Sequence, residues 1–447
     1  MIFTWSITLL RASLIALAIV FLAKVISSNI NYLRGRKKAL ALSITLIPIL
    51  IPPLVPAYAF SAFSLNFQTQ PIPNEILYFS IMVSRLLPFA VLLLLLTPPP
   101  ISQSSIICDQ LSNQKNLSNL HKASHILITF LCVFLLAFNE YEIASLMRIK
   151  HWTVTLFNAH AGGLVLNLGG SFKMALFPAF TSLLAIIITF NFLRKKKHEG
   201  STIGRKPKFS FFFILLVSSL ISWIIPFFII LFNSFEGFHG ALTGAWMRKE
   251  LINSTLVTFI STFCCITFAA GIIRISKKST MLFVLPGLFG ALLLGLLFIY
   301  LFNLPILDNL KQTVLPLSLA LILYGFPIAI LMNLFLKQFH EGTSLTRELL
   351  PSHSQKLIKW ETFYIPGFLL SLPVFCYIWF DLTISSMLAP ASFTTVFPRI
   401  YNLMHYSENE KLSATLLIIS FIPFFIYLLV YLSCLLTLKW KVSRSIK

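Results

Sequence analysis

The stretch ILYFSIMVSRLLPFAVLLLLL, residues 76–96, decides the fold of this chain. It contains a single charged side chain, that of Arg85. As a helix rising about 1.5 Å per residue, an apolar run of this length crosses the roughly 30 Å hydrocarbon layer of a membrane. Similar runs recur along the chain and predict about eleven transmembrane helices. They are expected at residues 5–27, 39–65, 75–96, 126–146, 172–193, 209–233, 251–273, 281–303, 313–336, 364–388 and 412–437.

The composition agrees with a membrane-embedded chain. Of the 447 residues, 57% are hydrophobic and 11% are charged, and the mean hydropathy is +0.86. A soluble globular protein carries about twice that share of charged residues, roughly 25%. We therefore predict an all-α, polytopic membrane protein.

The basic residues indicate how the chain is oriented. The net charge of +21 would suit a nucleic-acid-binding protein, but the Lys and Arg residues cluster in short stretches between the apolar runs. Alternate connections hold 24 and 6 of the 35 basic residues. Cytoplasmic loops carry the excess of Lys and Arg in membrane proteins. The distribution predicts a lipid bilayer as partner rather than nucleic acid, in a bacterial inner membrane, with the N-terminus outside and the C-terminus cytoplasmic.

Two parts of the chain align with an offset near 240 residues. Lys37-Lys38 matches Lys277-Lys278, Pro88 matches Pro327, and the segment EYEIASLM, residues 140–147, matches DLTISSML, residues 381–388. Because the offset steps over six predicted spans, both copies would have the same orientation. We predict two parallel tandem repeats, at 1–193 and 209–447, joined by a basic cytoplasmic linker at 194–208.

Two segments carry a resemblance to a known family. ITLIPILIPPLVPAYAF, residues 44–60, and DLTISSMLAPASFTTVFPRIYNLM, residues 381–404, resemble ferric-iron-type permeases of ATP-binding-cassette importers, which are fused doublets of the type I importer core. The resemblance implies a transport subunit that is not an enzyme and binds no cofactor. ATP would be hydrolysed by a partner ATPase dimer, and a periplasmic substrate-binding protein would deliver the substrate. Ferric iron is the implied substrate, with thiamine, phosphonate or polyamine as nearby options.

The same resemblance implies a cytoplasmic coupling helix that docks on the ATPase. It places this element in TRELLPSHSQKLIKWETFYIP, residues 346–366, and its counterpart in residues 108–125. In the first of these segments, leucines replace the two family alanines and a histidine replaces the family glycine. The implied coupling residues are Arg347, Glu348, Leu349, Leu350, His353, Lys356, Pro366 and Asp109.

Proline and acidic residues inside apolar runs predict the transport pathway. Pro48, Pro52 and Pro56 recur every four residues, which predicts three prolines on one face of a bent helix. Such a bend shapes either a pathway or a packing contact. Carboxylates within a span are costly unless they face water or a partner. The acidic candidates and their amide neighbour are Asn139, Glu140, Glu142 and Asp381, although acids at an outer helix end can also be simply solvated.

No pattern in the sequence predicts catalysis or a metal site. The six cysteines and nine histidines show no ligand spacing, and no G-x-x-x-x-G-K-[ST] loop is present. Two other functions stay open at this point. One is a secondary transporter with parallel repeats driven by an ion gradient. The other is a membrane-embedded enzyme or assembly factor.

Overall fold

The computed structural model describes residues 2–33, 35–67, 70–96, 115–161, 168–193, 209–243, 245–275, 277–340, 365–403 and 409–445. All regular structure in these ranges is helical. Seven of the described helices are long and apolar enough to cross a membrane, and one bent pair adds an eighth crossing if it forms a single span. The chain is therefore an all-helical protein compatible with several membrane crossings.

The first half of the chain contains eight α-helices. They are α1 (Ile2–Tyr32), α2 (Gly35–Leu46), α3 (Leu54–Asn66), α4 (Pro71–Leu96), α5 (Lys115–Phe138), α6 (Glu142–Leu146), α7 (Trp152–Ala161) and α8 (Leu168–Leu193). A 3₁₀ turn, Ile47–Leu50, lies between α2 and α3.

An additional helical segment separates the two halves. It consists of α9 (Phe209–Ser219), a π-helical turn (Leu220–Ile224) and α10 (Ile225–Ser234), followed by the short α11 (Phe238–Thr243). We call residues 209–234 the intervening helix. It is one of the seven helices that could cross a membrane.

The second half again contains eight α-helices. They are α12 (Ala245–Ile275), α13 (Lys277–Leu288), α14 (Gly290–Phe302), α15 (Leu315–His340), α16 (Ile365–Trp379), α17 (Thr383–Leu388), α18 (Val396–Leu403) and α19 (Asn409–Ser445). A 3₁₀ turn, Asp308–Leu310, precedes α15.

The two halves follow the same order of elements. Each has a long helix, an interrupted pair of shorter helices, and a long helix with an internal proline, Pro88 in α4 and Pro327 in α15. Next comes a helix, α5 or α16, that ends two residues before an acidic residue. Two short helices and a final long helix, α8 or α19, complete each half. The packing follows the same order, because α1 contacts α4 and α5 while α12 contacts α15 and α16.

Four of the eleven predicted spans are not continuous helices. The span expected at 39–65 bends by 68° between residues 50 and 54, and the span expected at 281–303 is interrupted at Phe289. The spans expected at 126–146 and 364–388 break at residues 139–141 and 380–382, which we call the first and second breaks. Shorter apolar helices remain at 126–138, 290–302 and 367–379.

The proline-rich interruption differs in detail from the prediction. Pro48 lies in the 3₁₀ turn, Pro52 lies in the bend and Pro56 lies in the first turn of α3. Proline lacks an N–H donor and clashes with the preceding turn, so consecutive prolines stop one helix and begin another. The sequence predicted that the three prolines share one face of a single bent helix. This prediction is wrong, because they lie in three different elements.

Candidate functional site

A cavity of about 100 Å³, lined by both polar and apolar residues, lies where the two halves meet. The first half contributes Arg85 from α4, residues 139–141 from the first break and Glu142 at the start of α6, among others. The second half contributes Gly287 to Ala291 around the interruption of its helix pair, together with Tyr324, Tyr377 and Thr383. We call it the central cavity. Its volume has room for several water molecules, and its polar lining offers them partners.

The two breaks are built in the same way. At the first break, the Glu140 carboxylate accepts hydrogen bonds from the backbone N–H groups of Ile143, at 2.6 Å, and Ala144, at 3.0 Å. At the second break, the Asp381 carboxylate accepts bonds from Ile384 N–H, at 3.3 Å, and Ser385 N–H, at 2.9 Å. Each acid precedes a short helix by two residues and satisfies N–H groups that its first turn leaves without partners. This capping explains why both spans break there.

Glu142 connects the two breaks. Its Oε1 atom accepts a hydrogen bond of 2.9 Å from the backbone N–H of Leu382, next to Asp381. Its other oxygen, Oε2, is buried and accepts no hydrogen bond. The Glu142 residue is 8% exposed and Asp381 is 3% exposed. Glu142 and Asp381 are therefore buried side chains rather than exposed groups at a helix end.

Arg85 supplies the positive charge of the cavity. Its guanidinium donates a hydrogen bond of 3.2 Å to the carbonyl oxygen of Ile51, which lies in the bend of the first interrupted pair. Its charge is opposite in sign to those of ionised Glu142 and Glu140, which line the same cavity. The described residues contain two direct ion pairs, Arg11–Glu75 and Lys311–Asp308, and Arg85 takes part in neither. Water in the cavity can bridge charged groups that do not touch.

Aromatic side chains form part of the cavity wall, together with leucines such as Leu86 and Leu135. The Tyr324 and Tyr377 rings stack with centroids 4.5 Å apart, and Phe89 meets Tyr377 edge to face at 6.4 Å. The hydroxyl of Tyr78 donates a hydrogen bond of 3.4 Å to Glu140 Oε2. Three carboxylates, Glu140, Glu142 and Asp381, thus accompany one guanidinium. When all are ionised, the region carries a net negative charge that favours cations.

A glycine allows the second interrupted pair to touch the first break. Gly290 has φ = +81°, a left-handed conformation that glycine adopts without steric cost. A Cβ atom on Gly290 would lie 2.5 Å from Cβ of Asn139. The Asn139 amide donates a hydrogen bond of 3.3 Å to Leu288 O and accepts one of 3.4 Å from Ser182. Asn139 is therefore held between the halves.

The long helix that begins each half is tied to the short helices after its break. In the first half, the N–H of Trp152, the first residue of α7, donates to Thr8 Oγ1 at 3.2 Å. In the second half, the N–H of Val396, the first residue of α18, donates to Ser254 Oγ at 2.9 Å. These bonds fix the position of each break relative to its own long helix.

A second polar contact accompanies this one in both halves. Arg11 donates to Lys150 O at 3.1 Å, and Asn253 donates to Thr394 O at 3.1 Å. Arg11 also forms the ion pair with Glu75, in which its Nε atom donates to Glu75 Oε2 at 2.7 Å. Its position in an apolar helix is thus explained by this pairing.

The structure brings together only some of the predicted pathway residues. Asn139, Glu140 and Glu142 line the central cavity, whereas Asp381 lines a much smaller recess beside it, of about 10 Å³. Pro48, Pro52 and Pro56 do not line the cavity, although their neighbour Pro53 does.

The predicted coupling residues fall largely outside the described residues. Arg347, Glu348, Leu349, Leu350, His353, Lys356 and Asp109 lie in the ranges 341–364 and 97–114. Pro366 is the second residue of α16. The prediction of a coupling helix therefore stays a prediction.

Sequence reasoning missed several residues of the cavity. Tyr324 and Tyr377 lie within long apolar runs, where an aromatic residue gives no signal of its own. The pattern Pro-Gly-Leu-Phe-Gly, residues 286–290, was a usable signal, because it interrupts an apolar run at the position where prolines interrupt the first half. Among the described residues, no group of three His, Cys, Asp or Glu side chains is placed to hold a metal ion.

Comparison of the chain with models of known protein families, with curated proteins and with solved structures gives no significant match. The functional argument therefore depends on the site and on the sequence.

Proposed function

We propose that the chain is the transmembrane permease subunit of an ATP-driven importer, in which two parallel repeats move a substrate through their interface. The observation that carries the proposal is the central cavity, a space of about 100 Å³ between two halves of the same element order, whose lining includes Arg85, Glu140 and the buried Glu142. Irregular backbone at membrane depth is tolerated where it is buried in protein or lines a cavity. The two capped breaks have this character.

The proposal gives each part of the chain a role. The central cavity is a segment of the pathway. Ionised carboxylates at it and beside it would suit a cationic substrate, of which ferric iron is the one that the sequence resemblance implies. A separate ATPase dimer would bind the two conformations of the chain with different affinities and so drive alternating access. A periplasmic binding protein would supply the substrate from outside. The subunit itself is proposed to have no enzymatic activity.

Co-purification tests the central part of the proposal. The full chain, tagged and extracted in mild detergent from its own cells, should carry an ATPase in a ratio of two ATPase copies to one permease. Glu348→Ala together with Leu349→Asp should reduce the recovered ATPase by about tenfold or more, equivalent to about 1.4 kcal/mol of docking free energy. Glu236→Ala removes an exposed carboxylate in a predicted external turn and is the matched control.

Two outcomes would contradict the proposal. One is the absence of any ATPase from the purified chain. The other is an ATPase whose recovery is unaffected by the paired substitution at 348 and 349. Uptake of radiolabelled ferric iron by cells that lack the chain, compared with cells that express it, tests the substrate separately.

A second candidate is a cation-coupled secondary transporter. The observation in its favour is Glu142, a buried carboxylate at the cavity with one oxygen atom that accepts no hydrogen bond. Buried acids of this kind mark ion pathways in membrane proteins. Reconstituted in liposomes without a partner, the chain would then move solute under a proton or sodium gradient, and Glu142→Gln would abolish the movement. The importer predicts no transport in that experiment.

A further inference from the structure

A large apolar groove opens between α8 of the first half and the interrupted pair α13–α14 of the second half. Its volume is about 650 Å³, and apolar side chains line it almost completely. On the α8 wall, Leu176 and Phe180 are each 62% exposed, and Leu297 on the α14 wall is 41% exposed. We call it the open groove.

A second groove has walls of the same kind but is largely occupied. It lies between α19 of the second half and the interrupted pair α2–α3 of the first half, with α3 and α19 both in contact with the intervening helix. Trp223, Phe227 and Ile230 of the intervening helix line what remains, about 260 Å³. Phe227 meets Phe421 of α19 edge to face at 5.7 Å. We call it the filled groove.

Three lining residues of each wall formed by an interrupted pair correspond in sequence. Each pair of equivalent residues is separated by 238 positions, and both members line their groove. The pairs are Ile47 with Leu285, Ile51 with Phe289, and Val55 with Leu293.

The walls formed by the final helices correspond in the same way. Here the separation is 244 positions. The pairs are Lys173 with Leu417, Leu176 with Ser420, and Phe180 with Phe424. The separation is the same for all three pairs within each wall, which indicates that the two grooves are related surfaces. One is covered by a helix of this chain and the other is uncovered by any described residue.

We propose that the open groove receives one transmembrane helix from a different protein, seated as the intervening helix is seated in the filled groove. The occupant is an apolar helix with large aromatic and branched residues spaced three and four positions apart, as Trp223, Phe227 and Ile230 are. The wall supports close approach of a helix, because Ala175 and Ala179 both line it at a four-residue spacing. Small residues at this spacing let transmembrane helices pack closely. The inference does not depend on the proposed transport function.

Site-specific photo-crosslinking in native membranes tests this. A photoreactive amino acid at Phe180 should give an adduct with a single polypeptide, and the crosslinked peptide should map to a transmembrane helix. The matched control is Phe424, the equivalent position of the filled groove, which should crosslink to the intervening helix of the same chain. Phe21 on α1, which is 70% exposed, reports contact with lipid alone.

Competition makes the test specific to the groove. A second copy of residues 209–244 is fused ahead of Ile2, so that it connects directly to α1 as the native copy connects to α12. This added helix should occupy the open groove. It should reduce the Phe180 adduct by about tenfold, as expected when a tethered helix competes at high effective concentration. Ala179→Trp should have the same effect by filling the wall, while the Phe424 adduct stays unchanged and shows that the fold is intact.

Three results would overturn the inference. The first is a Phe180 adduct with lipid only, indistinguishable from that at Phe21. The second is an adduct with another copy of this chain. The third is a polypeptide adduct that persists in both the fused variant and the Ala179→Trp variant.

Discussion

Replacing Gly290 with alanine should weaken the contact between the two halves. It should destabilise the protein more than the same replacement at a glycine where an added Cβ atom has no neighbour. Gly290 begins α14 at φ = +81°, and a methyl group there would lie 2.5 Å from Cβ of Asn139 and 3.1 Å from its Cγ. Both effects act on the folded state. The backbone would be strained, and Asn139 would have to move away from Leu288 and Ser182, to which it is hydrogen-bonded.

The expected magnitude follows from these two effects. A residue other than glycine in the left-handed region costs about 1 to 2 kcal/mol. An extra methyl group in a packed site costs about 1 to 3 kcal/mol. The lower entropy of the unfolded alanine chain offsets about 0.4 to 1 kcal/mol. We expect Gly290→Ala to lower the free energy of unfolding by about 1 to 5 kcal/mol.

The chain carries its own reporters for the measurement. Cys265 and Cys376 are free and buried, so a thiol-reactive fluorescent dye reaches them when the protein unfolds in detergent. The matched control is Gly271→Ala in α12, where an added Cβ atom has no neighbour within 4 Å. That change should be neutral or stabilise by about 0.5 to 1 kcal/mol, as for glycine in a helix interior. Equal unfolding temperatures for the two variants would refute the account of the contact between Gly290 and Asn139.

Three further predictions concern polar contacts. Arg11→Met should destabilise the protein more than Glu75→Gln in the same thermal assay, because the arginine side chain is 8% exposed and the glutamate side chain 42%. The opposite order would contradict a buried role for Arg11. Glu140→Ala and Asp381→Ala should each lower stability by about 1 to 2 kcal/mol through the lost helix cap, with a clear difference between them arguing against equivalent breaks. Burial, together with the nearby Arg11 charge, lowers the pKa of His151 to about 3, whereas an unfolded histidine titrates near 6.5. The contribution of His151 to the free energy of unfolding should therefore be fully present above about pH 6.5 and decrease as the pH falls towards 3. In the His151→Asn variant, the unfolding temperature should depend less on pH across that range.

The sequence was sufficient for the helical class of the fold and for the approximate positions of its apolar segments. Seven long helices, one bent pair and three shorter apolar helices occupy the eleven predicted positions. This success has a local cause, because a backbone without water as a partner must satisfy its N–H and C=O groups within the segment. The apolar length of a segment and its prolines therefore predict a helix and its bend without knowledge of the neighbours.

The acidic residues were found by sequence but their roles were not. Glu140, Glu142 and Asp381 were recognised as unusual inside apolar runs, yet the sequence left open whether water solvates them. The structure shows two of them as caps that begin short helices and the third as a bond between the halves. The two caps are local, since each acid meets N–H groups three and four residues further along the chain. The bond between Glu142 and Leu382 N–H joins residues 240 positions apart, and hydropathy, a sum over neighbours in sequence, contains no information about such a contact.

The position of the intervening helix also required the tertiary structure. The sequence identified residues 209–233 as a span, but did not show which surface it covers. Its place against α3 and α19 is set by the shape of side chains from both halves, including Phe421 and Val55. The sequence by itself determined which segments are helical and apolar, since these properties are local. Only the tertiary structure decided which of them meet, because apolar surfaces attract without direction and shape alone selects among them.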